Sequence, residues 1–201
     1  MTTIHCYNIN ELIKKSGEAL VTSLLSAFLC PPNPDVEHFL HHNAINFSKQ
    51  GIAVTYLVFI ETADFSHFVG YFSLANKIIQ FKDVEMSNRT KKLICRFSDF
   101  NSATDTYSLP APLIAQFGKN FAANENLMIT GTELMKIALS QVAYIQSLIG
   151  GRAVYLECEN IQALLNFYQL NGFTIFGKRS VMTPSQPESR QILFQLIKFL
   201  K

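Results

Sequence analysis

Leu109-Pro110-Ala111-Pro112-Leu113-Ile114-Ala115-Gln116-Phe117-Gly118-Lys119-Asn120-Phe121 opens the stretch, 109–179, that decides the fold. It reads as a strand, and a polar connection over 122–126 follows it. Leu134, Ile137, Ala138, Val142, Ile145 and Leu148 then recur at three- and four-residue spacing, the pattern of an amphipathic helix with one face on a core. Gly150-Gly151 stops that helix, and Ala153-Val154-Tyr155-Leu156-Glu157-Cys158 is a second strand. Asn160 is placed to cap a second helix, with Phe167-Tyr168 near its end, just before Asn171-Gly172-Phe173. Strand, helix, strand in that order implies a right-handed crossover, parallel strands and a ligand at their carboxyl ends.

Working outward, 201 residues with 48% hydrophobic and 16% charged side chains suffice for one sizeable core, so a single domain over 1–201 is expected. Seventeen basic against fifteen acidic residues leave +2, too little to argue nucleic-acid binding from net charge. Cys6, Cys30, Cys95 and Cys158 lack paired spacing for zinc or a redox motif and read as reduced, mostly buried thiols; no metal is expected. The first fifteen residues lack a signal peptide's basic start and apolar core, and no run of about 18 apolar residues occurs. A cytoplasmic protein with no membrane partner is the expectation.

Upstream, Leu12, Ile13, Leu20, Leu24, Leu25, Phe28 and Leu29 fall on one helical stripe that Gly17 divides. Asn33-Pro34 starts another helix as cap and first residue, with Val36, Phe39, Leu40, Ala44 and Phe47 facing inward and Gly51 as its end. His38, His41 and His42 on that helix lack a carboxylate or fourth ligand and read as a solvated face. Residues 52–60 and 68–74 read as antiparallel strands around a turn at 63–66. Residues 82–92 read as a solvated loop or short helix, 93–100 as weakly alternating and 101–108 as polar. A polar loop containing Pro184 and Pro187 leads to a closing strand over 191–200.

The residues from 109 to 173 resemble the GNAT superfamily of acetyl-CoA-dependent N-acetyltransferases. With Phe68-Val69-Gly70-Tyr71-Phe72-Ser73-Leu74 counted, the resemblance covers about half the chain closely and nearly all of it in element order. It implies an α/β fold: a mixed, twisted sheet, helices on both faces and a splayed cleft between two parallel strands, 114–121 and 153–158. In that family the splayed strand pairs with the pantetheine arm of acetyl-CoA, here at Phe117, Gly118 and Lys119. The pyrophosphate loop, Gln/Arg-x-x-Gly-x-Gly/Ala, matches Asn126-Leu127-Met128-Ile129-Thr130-Gly131 in its final glycine alone. A helix start presents amides and a positive dipole end whatever its side chains, so Ile129, Thr130, Gly131, Thr132 and Glu133 remain the expected phosphate contacts. Asn126 shortens the reach of the family's Arg or Gln, Ile129 narrows the approach, and Thr130 and Thr132 offer hydroxyls. Asn160 joins the cofactor contacts.

The resemblance places Tyr168 beside the thioester sulfur as the catalytic acid. A neutral amine attacks the thioester carbonyl, a strand amide stabilises the oxyanion, and the phenol protonates the departing thiolate. Glu157, Glu159 and His67 are the carboxylate and imidazole candidates for a base, and that role is left unassigned. A closer likeness, to the acetyltransferases of bacterial toxin–antitoxin modules that acetylate aminoacyl-tRNA, is carried by Phe28-Leu29-Cys30, by Val36-Glu37-His38-Phe39-Leu40 with Ala44, by Gly70-Tyr71-Phe72-Ser73-Leu74-Ala75 and by 110–113. It implies tRNA and an antitoxin as partners, beside acetyl-CoA and an amine-bearing substrate; a homodimer is a separate expectation. Lys77, Lys82, Arg89, Lys91, Lys92 and Arg96 are the dense basic candidates for tRNA. A non-catalytic acyl-CoA-binding or interaction module is the reading from a different class, motivated by the altered phosphate loop.

Overall fold

A computed structural model describes residues 2–82, 88–122, 125–183 and 186–200, apart from the side chains of 89–90, 125–126, 183 and 186–189. The loop expected at 83–87, part of the connection at 122–126, and Pro184 lie outside the described residues, as does the Asn126 side chain.

In chain order the elements are β1 (Thr3–Asn8), α1 (Ile9–Ser16), α2 (Glu18–Leu25), α3 (Pro34–His42), α4 (Ala44–Lys49), β2 (Val54–Glu61) and β3 (Ser66–Phe81). There follow α5 (Asn88–Phe97), β4 (Asp99–Asn101), β5 (Thr106–Lys119), α6 (Glu125–Met128), α7 (Gly131–Ile149), β6 (Ala153–Glu159), α8 (Gln162–Leu170), β7 (Thr174–Thr183) and β8 (Gln186–Phe199). The sheet is mixed, with strand order β1-β2-β3-β5-β6-β8-β7 and β4 paired to β5. The expected parallel pairing of β5 with β6 is present, with Leu113 opposite Tyr155.

The chain forms two compact units. The first holds residues 1–75 and 114–141. Gly17, at φ 83°, separates α1 from α2, and Asn33 Oδ1 accepts the Val36 amide to start α3 with Pro34 at its first turn. β2 and β3 pair antiparallel, Val54 opposite Leu74 through Glu61 opposite Ser66. β1 was not legible as a strand; it pairs antiparallel with β2, Thr3 opposite Glu61 through Asn8 opposite Tyr56. The core gathers Ile9, Leu25, Phe28, Val36, Leu40, Leu57, Phe68 and Tyr71. Phe28 meets Tyr71 edge-on at 5.1 Å, and the buried Tyr71 hydroxyl donates to the Val36 carbonyl at 2.6 Å.

The second unit holds residues 76–113 and 142–201. Its core is Ile79, Ile94, Leu109, Ala111, Ala153, Tyr155, Phe176 and Ile197. The weakly alternating run that suggested a strand at 93–100 is mostly helix α5, whose Ile94 is fully buried. Tertiary packing of that one apolar face outweighs the local alternation. The polar loop expected after Gly177 is instead a hairpin, β7 on β8, from Thr174 opposite Ile197 to Thr183 opposite Gln186. β8 also pairs with β6, Ala153 opposite Phe199 through Glu159 opposite Leu193. Asn160 does not cap α8: Ile161 occupies that position, and no side-chain oxygen accepts an amide there. Among the described residues no helix is long and apolar enough to cross a membrane.

Candidate functional site

In the first unit, the carboxyl end of β5 is held by close backbone approach. A Cβ on Gly118 would stand 2.5 Å from Val36 Cγ1, 3.2 Å from Phe28 Cζ and 3.3 Å from Tyr71 Cε1, so that position requires glycine. A Cβ on Gly70 would stand 2.8 Å from the Gly118 carbonyl, which brings β3 and β5 equally close there. Phe117 and Lys119 are half-buried on either side, and the Lys119 ammonium lies 5.2 Å from the Phe121 ring centroid.

Asn120 fixes where the strand ends. It is 2% exposed, its Oδ1 accepts the amides of Leu29 and Ala122, each at 3.0 Å, and its Nδ2 donates to the Phe68 carbonyl at 2.8 Å. Its own amide donates to Val69, and the Phe121 amide donates to Leu29. One side chain thus ties β5 to β3 and to the turn after α2. The sequence reading took Asn120 only as a strand residue; the signal for more was an Asn closing a strand, a residue that bonds its own backbone two positions on.

α7 starts on a reciprocal cap. Thr130 Oγ1 accepts the Glu133 amide at 3.2 Å and donates to Glu133 Oε2 at 2.7 Å, which also accepts the Thr130 amide at 2.8 Å. The Thr130 hydroxyl and amide are therefore engaged within the cap. Helix geometry leaves the Gly131 and Thr132 amides without an intrahelical acceptor, and Thr132 is exposed. Ile129 is 3% exposed, so its side chain goes into the interior and does not narrow the approach as expected. The two bonds from Thr130, the hydroxyl's first, hold the Glu133 carboxyl below its ordinary range, so a full negative charge stands at the helix start.

In the second unit, Tyr168 lies in the last turn of α8. Its ring meets Phe173 at 6.0 Å and Phe167 at 5.2 Å, both edge-on, and the Phe173 amide donates to the Tyr168 carbonyl at 3.0 Å. The residue as a whole is half-buried, but its hydroxyl end is desolvated, which pushes the phenol well above its ordinary value, with the nearby Cys158 adding to the shift. Among the described residues the hydroxyl has no hydrogen-bond partner. Lys198 steadies this helix end: its Nζ donates to the Asn171 carbonyl at 2.6 Å and lies 5.9 Å from the Phe173 ring centroid. A cation on the last carbonyls of a helix also suits its dipole. Nothing in the sequence around Lys198 signals this contact, because it is made across 27 residues.

The other candidates are placed plainly. Both Glu157 oxygens are occupied, Oε1 by Gln195 Nε2 at 2.9 Å and Oε2 by Arg179 Nη2 at 3.2 Å. Asn160 is exposed. His38 and His42 are exposed with rings 4.5 Å apart, and His41 Nε2 is 3.0 Å from the Phe28 carbonyl. Among the described residues no group of three or more His, Cys, Asp or Glu side chains converges as a metal requires. All four cysteines are free; Cys30 and Cys158 are buried, Cys6 and Cys95 half-buried.

No family model matches the chain, and no curated protein matches it. Solved structures do. A tyrosine-to-phenylalanine variant of KacT aligns with a TM-score of 0.60 at 15% identity, covering 95% of this chain and 93% of that one. The AtaT toxin, also as a tyrosine-to-phenylalanine variant and bound to the C-terminus of the antitoxin AtaR and acetyl-CoA, aligns with a TM-score of 0.58 at 12% identity, covering 98% and 92%. AtaT complexed with acetyl-methionyl-tRNAfMet aligns with a TM-score of 0.56 at 17% identity, covering 96% and 94%. At such identities the likeness is one of fold. In fold, this chain is similar to the AtaT and KacT toxins, the same GNAT-type group that its sequence resembles.

Proposed function

We propose that the chain is an N-acetyltransferase that moves an acetyl group from acetyl-CoA to a primary amine by direct attack. The observation that carries this reading is the fold, similar to that of a protein solved with acetyl-CoA, with Tyr168 in the last turn of α8. The pantetheine takes the backbone at Phe117, Gly118 and Lys119, where β5 is held by Asn120. The pyrophosphate takes the helix-start amides between Ile129 and Glu133, chiefly those of Gly131 and Thr132, with Asn126 and Asn160 as outer contacts. The buried Ile129 side chain supports this fit; the charged Glu133 opposes it.

The amine attacks the thioester carbon as a neutral nucleophile, the carbonyl oxygen becomes negative against a backbone amide, and the C–S bond breaks as the carbonyl re-forms. Tyr168 donates to the departing sulfur. The role of the hydroxyl is tested with Tyr168→Phe, which keeps the ring and removes the hydroxyl. Acetyl-CoA affinity by calorimetry should change little, and thiol release with accepted amines should fall on the order of 10²-fold. Parent turnover in the variant removes the chemical role, and loss of acetyl-CoA binding makes Tyr168 a packing residue.

The aminoacyl-tRNA amine is the acceptor favoured among amines, supported by the complex of AtaT with acetyl-methionyl-tRNAfMet. With it come the toxin role, an antitoxin partner, a homodimer and a cytoplasmic site of action. The non-catalytic reading is favoured by Glu133, whose charge stands where phosphates would bind. Failure of the purified protein to bind acetyl-CoA selects that alternative.

A further inference from the structure

α3 lies within the first unit and turns Val36, Phe39 and Leu40 into its core. The same helical periodicity puts Asp35, His38 and His42 on the outer face, at spacings of three and four residues. His38 and His42 are both exposed, with ring centroids 4.5 Å apart and ring planes at 44° to each other. Two imidazoles one helical turn apart are the arrangement by which a helix presents nitrogens to a metal, as in the H-E-x-x-H motif. His41 is held elsewhere: its Nε2 donates to the Phe28 carbonyl at 3.0 Å, and its ring stands edge-on to that of His42 at 6.1 Å.

The ring separation selects among metals. A nitrogen bound at about 2.1 Å places its ring centroid roughly 3.2 Å from the ion, so centroids 4.5 Å apart subtend about 90° at a shared ion. The tetrahedral angle that zinc takes would need centroids about 5.2 Å apart. A right angle is the cis angle of square-planar and tetragonal sites built from nitrogen and oxygen, those of copper(II) and nickel(II). Two further charges favour a cation here. His42 ends α3, at the negative end of its dipole, and the Asp35 carboxylate precedes both histidines on the same face.

We propose that His38 and His42 form a two-imidazole site for a divalent transition-metal ion with right-angled coordination, copper(II) or nickel(II). Among the described residues no third His, Cys, Asp or Glu side chain joins them, so water fills the remaining positions and the ion is exchangeable. An ion shared between successive turns binds only when the turn is formed, and so stabilises α3 against unfolding. The inner face of that helix carries Val36, which Gly118 approaches and whose carbonyl accepts the Tyr71 hydroxyl, so the stabilisation reaches the core of the first unit. The site is independent of the acetyl-transfer reading, since neither histidine enters that chemistry.

The test is isothermal titration calorimetry of the untagged full chain with nickel chloride alone, chosen because nickel(II) leaves the free thiols unoxidised where copper(II) does not. A single ion should bind per chain. His38→Ala and His42→Ala should each weaken it roughly tenfold or more, because the second contact no longer comes at high effective concentration. With nickel at about 100 times its Kd for the parent, the parent Tm should rise by ~5–11 °C, and that of either variant by about half as much or less. Without metal both variants should melt with the parent, which separates a lost ligand from a folding defect. His5, whose Nε2 lies 3.2 Å from Glu61 Oε2, is the competing imidazole, and His5→Gln should leave the affinity unchanged. Parent protein that takes up no nickel overturns the proposal, as does binding that survives both substitutions or is abolished by His5→Gln. Zinc held more tightly than nickel overturns the right-angled geometry on which it rests.

Discussion

Replacing Asn120 with alanine removes three hydrogen bonds at once from a side chain that is 2% exposed. The amides of Leu29 and Ala122 lose their acceptor, and the Phe68 carbonyl loses its donor. Each buried backbone group left unpaired costs about 1 kcal/mol or more, so the first unit should lose about 3 kcal/mol. For a chain of this size that corresponds to a fall in Tm of ~6–12 °C. Hydrogen exchange localises the effect better than melting does. The Leu29 and Ala122 amides should be protected in the parent and exchange near the rate of open chain in the alanine variant. Asn120→Asp separates the two halves of the clamp: its Oδ1 still accepts both amides, and the donation to Phe68 is lost. Protection at Leu29 and Ala122 should survive in Asp and vanish in Ala, although both variants melt below the parent. If the alanine variant keeps both amides protected, Asn120 is not what holds the end of β5, and the reasoning fails.

Glu133→Gln keeps both halves of the Thr130 cap and removes one negative charge at the start of α7, so acetyl-CoA should bind roughly two- to fivefold more tightly at low ionic strength, less so in high salt. Unchanged affinity by low-salt calorimetry places the phosphates elsewhere. Gly118→Ala sets a methyl 2.5 Å from Val36 Cγ1 in a filled core, and should cost about 1–3 kcal/mol by chemical denaturation; parent stability would refute the close approach. Cys6 and Cys158 are both pushed up to about 11 by burial, so at pH 8 each is thiolate in only about one part in 10³. Their alkylation should be slow at pH 8 and accelerate about tenfold per pH unit toward 11, as read by mass spectrometry. Rapid labelling of either at pH 8 contradicts the burial.

The parts of the fold legible in the sequence were those whose signal is local. The three- and four-residue spacing from Leu134 to Leu148, the Asn33-Pro34 start and the Gly150 stop all specify α7 and α3 without reference to the rest of the chain. β1 was not legible, because Thr3–Asn8 becomes a strand by pairing with β2, some fifty residues away. α5 was missed for the opposite reason: its single fully buried residue, Ile94, is too little for a periodic stripe, and the docking of that one side chain decides the conformation. In the candidate site, Tyr168 was proposed from its place before Gly172-Phe173. The residues that position the site's parts, Asn120 and Lys198, act across 52 and 27 residues, and no window of sequence contains either contact. Asn160 failed as a cap because the chain extends one residue further before α8 begins.

The environment of Tyr168 narrows the chemistry assigned to it. A phenol ordinarily titrates near 10, and burial with Cys158 alongside raises this one further, whereas a thiol ordinarily titrates near 8.5. Complete proton transfer from such a phenol to a departing thiolate runs uphill. The hydroxyl is therefore best suited to donate a hydrogen bond to the sulfur as charge builds, keeping its own proton throughout. The proton that finally neutralises the thiolate has a better source in the ammonium that forms when the amine attacks, which must lose a proton to become the product amide. In the proposed transfer Tyr168 would act as a neutral hydrogen-bond donor to the sulfur, and the ionisation that limits the reaction would be that of the attacking amine. Lys198 holds the terminus of α8 beside it, through the Asn171 carbonyl and the Phe173 ring.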